Sequence, residues 1–282
     1  MIRHYLALTR FDKPIGSLLL LWPTLTALFL AAQGRPSAKN LVIFTLGVFL
    51  MRSAGCIVND LLDRKLDRHV ARTQNRPLAA NQISPTQAVI LLAILLLGAL
   101  LLVLPTNAET ILLAFVALAM TLAYPLMKRY THWPQAWLGA CFNFGIIMAF
   151  SASNKPLGLS CWLLYAANIV FTVAYDTFYA MVDRDDDIKI GIKSTAVLFG
   201  DNDRRYIAIF HIVYLLLIVI VSQITSLNHW FDFGLALAIA SLAYQHTITR
   251  HRKKTDFFKA FLNSHYTLLA IFLGVYLSLL PY

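Results

Sequence analysis

Asn59, Asp63 and Asp67 stand at i, i+4 and i+8 in the stretch CIVNDLLDRKLDRHVARTQNRP, residues 56–77. On a helix each step of four advances by about 40°, so the three share one face, whereas Asp60 points roughly 100° away from Asn59. Asp176, Asp183 and Asp187, at i, i+7 and i+11, share a face as tightly, while Asp185 and Asp186 point elsewhere and are expected to be solvated beside Arg184 and Lys189. Short, hard carboxylates with open positions suit Mg²⁺, which keeps waters and takes one or two carboxylates plus phosphate oxygens in preference to an all-protein cage. The missing ligand is then a phosphate. Arg72, Arg76 and Lys193 are placed to neutralise a diphosphate, the arginines by bidentate oxygen contacts. No GxxxxGK[ST] loop is present, which argues against nucleotide hydrolysis. Arg52 lies two turns before Asn59 on nearly the same face, at a depth where charge is costly and usually functional, and is expected to face a cavity and hold an anionic substrate group.

The elements that must position these groups are apolar. Of the 282 residues 59% are hydrophobic and 13% charged, against roughly 25% charged in soluble domains. The expectation is an all-α, polytopic membrane protein in one domain over residues 1–282, with nine transmembrane helices near 15–32, 41–58, 86–104, 109–126, 135–152, 160–178, 206–225, 231–248 and 262–280. The first segment follows Met1–Lys13 with no small-residue cleavage site, and is expected to be a retained helix. With the amino terminus placed in the cytoplasm, only Arg35, Lys39 and Lys155 fall on the far side; Arg52 is within a span and every other Lys and Arg is cytoplasmic. That asymmetry is the positive-inside pattern. The net charge of +10 is therefore spread between spans, which attracts anionic lipid and does not point to nucleic acid. Both acid clusters are cytoplasmic, one after the second span and one after the sixth, a weak internal repeat whose acid-bearing ends would face each other across a cavity. Glu109 is the only Glu, so the acids are not a sample of general surface composition. Cys56, Cys141 and Cys161 fall in apolar segments without metal or redox spacing.

Four strings carry a resemblance: DKPIGSLLLLWPT (12–24), RSAGCIVNDLLDRKLDRHVARTQNRPL (52–78), YPLMKRYTHWPQ (124–135) and AYDTFYAMVDRDDDIKIGIKSTAVLFG (174–200). They resemble the bacterial 4-hydroxybenzoate polyprenyltransferases, members of the UbiA-type intramembrane prenyltransferases of ubiquinone biosynthesis, over nearly the full length. The resemblance implies that Asn59, Asp63, Asp67, Asp183 and Asp187 bind two Mg²⁺ ions on a polyprenyl diphosphate. It implies helices around a central cavity, capped on the cytoplasmic side by helical segments carrying both motifs, in the bacterial inner membrane.

The chemistry expected is transfer of the prenyl group to the 3-position of 4-hydroxybenzoate, with water excluded from an allylic cation. Tyr124, Tyr175 or Tyr179 would face that cation with a ring. Asp183 or Asp187 would orient the phenol or take the ring proton, and Asp176 has an open role. Arg129 first, then Lys128 or Arg52, would hold the acceptor carboxylate. Two alternatives remain: another aromatic acceptor, and a divalent-cation transporter, whose sites more usually lie at the bilayer midplane on broken helices.

Overall fold

The computed structural model describes residues 2–68 and 73–280, so the expected diphosphate cation Arg72 lies outside the described residues. Among these residues all regular structure is helical: α1 (Ile2–Leu8), α2 (Ile15–Ala31), α3 (Ala38–Asp67), α4 (Pro85–Val103), α5 (Ala108–Tyr130), α6 (Pro134–Phe142), α7 (Phe144–Ala152), α8 (Leu159–Ile190), α9 (Thr195–Phe199), α10 (Asp203–Ile224), α11 (His229–Ile248) and α12 (Lys254–Ser278), with short 3-10 turns before α10 and α12. Local chemistry sets several starts. Ser84 and Gln87 form a reciprocal capping box ahead of Pro85 on α4, and Asn107, Ser194 and Asn228 accept backbone N–H groups at the starts of α5, α9 and α11.

Seven helical stretches among the described residues are long and apolar enough to cross a bilayer: α3, α4, α5, α6 with α7, α8, α9 through α10, and α12. The expected first span, α2, has 17 residues and is the shorter apolar helix beside them. The expected eighth, α11, is diluted at its ends by Asp232, Gln245 and His246. In the most apolar windows of α4 and α5 only 11% of residues are buried inside the protein. A helix apolar on all sides yet so little covered has lipid as its environment, and the chain is a multi-pass membrane protein.

Two differences from the expected spans matter for the site. First, α3 and α8 do not stop at residues 58 and 178 but run on unbroken to Asp67 and Ile190, so both acid clusters ride on the projecting ends of long helices. Second, the expected span 135–152 is broken at Asn143. There the Asn143 amide donates to Gly139 O at 2.9 Å and Thr172 Oγ1 at 3.0 Å, giving the interrupted backbone a polar partner and fastening it to α8.

The core surrounds α8, where Phe171, Tyr175 and Phe178 are buried against Tyr214 of α10 and Phe261 of α12. The ring of helices closes between α2 and α12, where Trp22 stacks on Phe272 at 5.7 Å and Phe29 meets Tyr276 edge-on at 5.2 Å. At the polar end, Asp203 at the start of α10 is fully buried. It takes Arg252 Nη1 and Nη2 at 2.9 and 2.7 Å, Arg184 Nη1 at 3.1 Å and the Arg204 N–H at 2.6 Å. That group ties α8, α10 and the turn before α12 together.

Candidate active site

A cavity of about 1190 Å³ opens among the helices, larger than the roughly 300–1,000 Å³ that encloses a drug-sized ligand. Asn59, Asp60, Asp63 and Asp67 of α3 line it, as do Asp176, Asp183 and Asp187 of α8. The two acid-bearing ends therefore do share one chamber. The rest of the wall is largely apolar, and along α3 it continues back to Phe44, fifteen residues from Asn59 or about 22 Å at 1.5 Å per residue.

The α3 acids are buried among cations. Arg10 Nη2 reaches both Asp60 oxygens at 2.9 and 2.8 Å. Arg76 Nη1 bridges Asp60 at 3.1 Å and Asp67 at 2.9 Å. Burial alone would lower the Arg76 pKa, but these two carboxylates reverse that and hold it above its ordinary value. The chain after α3 must fold back for this to happen: the Thr73 hydroxyl donates to Asp67 O at 2.9 Å and Leu78 is buried against Ile57 and Leu8. The same apolar cluster seats α1 and so holds Arg10 in place. Lys128 Nζ pairs with Asp63 Oδ2. Asp63 Oδ1, although buried, has no hydrogen-bond partner, and Arg129 Nη2 stands 4.0 Å from it.

Other expected residues also gather here. Arg52, Tyr124, Tyr175, Tyr179 and Lys193 line the cavity. Arg52 lies over the Phe142 ring, 5.4 Å from its centroid, with Nε unpartnered, and Gly16 leaves the room: an added Cβ would overlap the guanidinium. Lys193 is brought in because its N–H donates to Lys128 O at 3.1 Å and because α9 behind it is pinned. The Thr195 N–H donates to Gln135 Oε1 at 3.1 Å, and the Thr195 and Thr177 hydroxyls are 2.7 Å apart.

Some expectations are placed differently. Arg129 does not line this cavity; it is half exposed and borders a smaller basic cleft of about 590 Å³ with Arg64 and Lys65, reaching the site only at Asp63. Asp185 and Asp186 are at the surface as expected, but Asp185 pairs with Lys254 at 2.8 Å, and Arg184 turns to Asp203. Asp60, which the helical angle set apart from Asn59, is in the wall with Asn59, Asp63 and Asp67. Arg10 and Lys254 escaped the sequence reading, since their partners lie far along the chain and no local spacing announces them.

Among the described residues no three Asp, Glu, His or Cys side chains come together as a self-sufficient metal cage. One or two carboxylates at the mouth of a cavity, with Asp63 Oδ1 free to accept, fit a Mg²⁺ ion whose other ligands are water and phosphate oxygens. Cations beside carboxylates, opening onto a long apolar bore, define a site for a lipid-tailed anion inside a helical membrane protein. Residues 20–274 match the UbiA prenyltransferase family, and the chain belongs to it; it is an enzyme of the prenyltransferase class.

The chain is 52% identical over 277 residues to a 4-hydroxybenzoate octaprenyltransferase of Pseudoalteromonas translucida, covering 98% of this chain and 95% of that protein. It is 53% identical over 280 residues to one of Chromohalobacter salexigens, covering 99% and 94%. Among solved structures, the fold is similar to the apo form of a UbiA homolog from Aeropyrum pernix K1, with a TM-score of 0.81 at 20% identity over 93% of this chain and 98% of the other. It is also similar to a UbiA homolog from Archaeoglobus fulgidus bound to GPP and Mg²⁺, with a TM-score of 0.68 at 19% identity over 95% and 99%.

Proposed function

We propose that the protein transfers a polyprenyl group from polyprenyl diphosphate to the carbon ortho to the hydroxyl of 4-hydroxybenzoate, with Mg²⁺, in ubiquinone biosynthesis. The acceptor comes from the curated relatives named above, which are half identical over nearly the whole chain. The observation that carries the chemistry is the buried Asp63 Oδ1, which accepts no hydrogen bond, at the polar mouth of a largely apolar cavity. In this proposal one domain spans 1–282 and nine helices cross the bacterial inner membrane, α2 and α11 among them. The acids lie on the cytoplasmic side, where the Lys and Arg excess points, beneath a cap made by α1, the 73–84 segment and α9.

Asn59, Asp63, Asp67, Asp183 and Asp187 would hold Mg²⁺, which when bound supplies Lewis-acid stabilisation to a leaving diphosphate. Arg76, Lys128 and Lys193 add fixed positive charge at the same end, so charge developing on diphosphate oxygen meets donors already in position. The allylic C1–O bond breaks and a bond from C1 to the acceptor carbon forms. The ring proton passes to Asp183 or Asp187. Tyr124, Tyr175 and Tyr179 line the wall the allylic carbon would face, while the apolar lining excludes the water that would otherwise capture it. Arg52 is set to take the acceptor carboxylate inside the chamber, and Arg129 would meet it at the rim.

The test is direct. Purified protein in lipid, given octaprenyl diphosphate and 4-hydroxybenzoate, forms the 3-octaprenyl product with Mg²⁺ and stops in excess EDTA. Full turnover in EDTA removes the metal assignment. No product with Mg²⁺, alongside turnover of another phenol, removes the acceptor.

A further inference from the structure

The α3 wall of the cavity contains two glycines, Gly47 and Gly55, among Phe44, Val48, Met51 and Arg52. Gly55 has a neighbour, since a Cβ there would lie 3.6 Å from Thr121 Cγ2 on α5. Gly47 has none. A Cβ built on it meets no heavy atom within 4 Å, and its φ is not among the positive ones. Glycine is disfavoured inside a helix relative to alanine, and neither close helix approach nor a left-handed backbone calls for it at this position. The space itself is what remains to explain it.

The depth of that space is informative. Gly47 is twelve residues from Asn59, about 18 Å along the helix. An isoprene unit adds four carbon–carbon bonds, roughly 4–5 Å when extended, so a tail anchored at the acids reaches Gly47 at about its fourth unit. We propose that Gly47 determines the prenyl tail length the enzyme accepts, by keeping the apolar bore open where tails longer than about four units must pass. The inference rests on prenyl diphosphate being the donor. It places selection in the bore, because the acid and cation cluster meets the same diphosphate whatever the tail.

Gly47→Leu puts an isobutyl group into the bore. The quantity to measure is the ratio of kcat/KM for octaprenyl diphosphate to that for geranyl diphosphate, with 4-hydroxybenzoate and Mg²⁺ fixed, since the folded fraction cancels within each variant. The ratio falls at least about tenfold in Gly47→Leu. In Leu46→Phe, one position along on the exposed side of α3, it stays at the wild-type value. An unchanged ratio in Gly47→Leu, or an equal fall in Leu46→Phe, overturns the role of Gly47 and leaves the function standing. Failure of the wild-type protein to use either donor overturns the donor assignment itself, and this inference with it.

Discussion

Asp63 and Asp203 are both buried aspartates facing basic side chains at the polar end of the bundle, and they differ in how completely they are used. Asp203 receives four donors on two oxygens, from Arg184, Arg252 and the Arg204 backbone. Asp63 receives Lys128 on one oxygen and holds the other without a hydrogen bond, Arg129 standing 4.0 Å off. A carboxylate whose acceptor capacity is filled by protein has nothing left to offer a ligand and serves to bind elements together. One that keeps a buried lone-pair site unfilled bears a standing desolvation cost, which a metal or substrate can relieve. Saturation of the oxygens, more than burial or charge pairing, separates the two roles.

The largest expected effect breaks the Asp63 side of this contrast. Asp63→Asn lowers turnover by roughly 10²–10³-fold, while the thermal midpoint falls less than in Asp203→Asn because the protein engages only one of its oxygens by hydrogen bond; product formation and a melting curve on the same preparation check both. Asp203→Asn inverts that pattern. Breaking a buried, fully engaged ion pair costs about 3–5 kcal/mol, seen as a lowered thermal midpoint, with kcat per folded molecule close to wild type. Arg10→Ala falls between them: Asp60 keeps Arg76 but loses its bidentate partner, for about 1–3 kcal/mol of stability and a partial loss of activity that Arg10→Lys only partly restores. The smallest effect belongs to the exposed Asp185–Lys254 pair, where Asp185→Asn shifts stability by under about 1 kcal/mol in low salt and by less in high salt.

The common face of Asn59, Asp63 and Asp67 was legible because helical period alone dictates it, and the structure keeps that helix unbroken to Asp67. The same rule sets Asp60 at an angle to Asn59 but does not say what it meets. An angular argument locates a side chain on its own helix, whereas at a projecting helix end the fold wraps partners round more than one side; Arg10 and Arg76 converge on Asp60 from chain positions on either side of it. Arg10 itself reads in sequence as one more topology cation, since its partner is fifty residues away. The break at Asn143 was invisible because one polar residue hardly alters the apolarity of its stretch, and its compensation comes from Thr172 on another helix. Arg129 belongs to the string that carried the family likeness, yet motif membership fixed its neighbourhood and not the side of the wall it faces.

The seam between α2 and α12 has a consequence for how the protein is made. These helices are more than two hundred residues apart along the chain, and contacts of such sequence separation form late. Lys254, Phe258 and Phe261 reach the cavity from α12, so a nascent chain still lacking α12 already carries all the motif aspartates but has no finished chamber round them. Only once α12 has been made and docked does the chamber round those aspartates have its full wall.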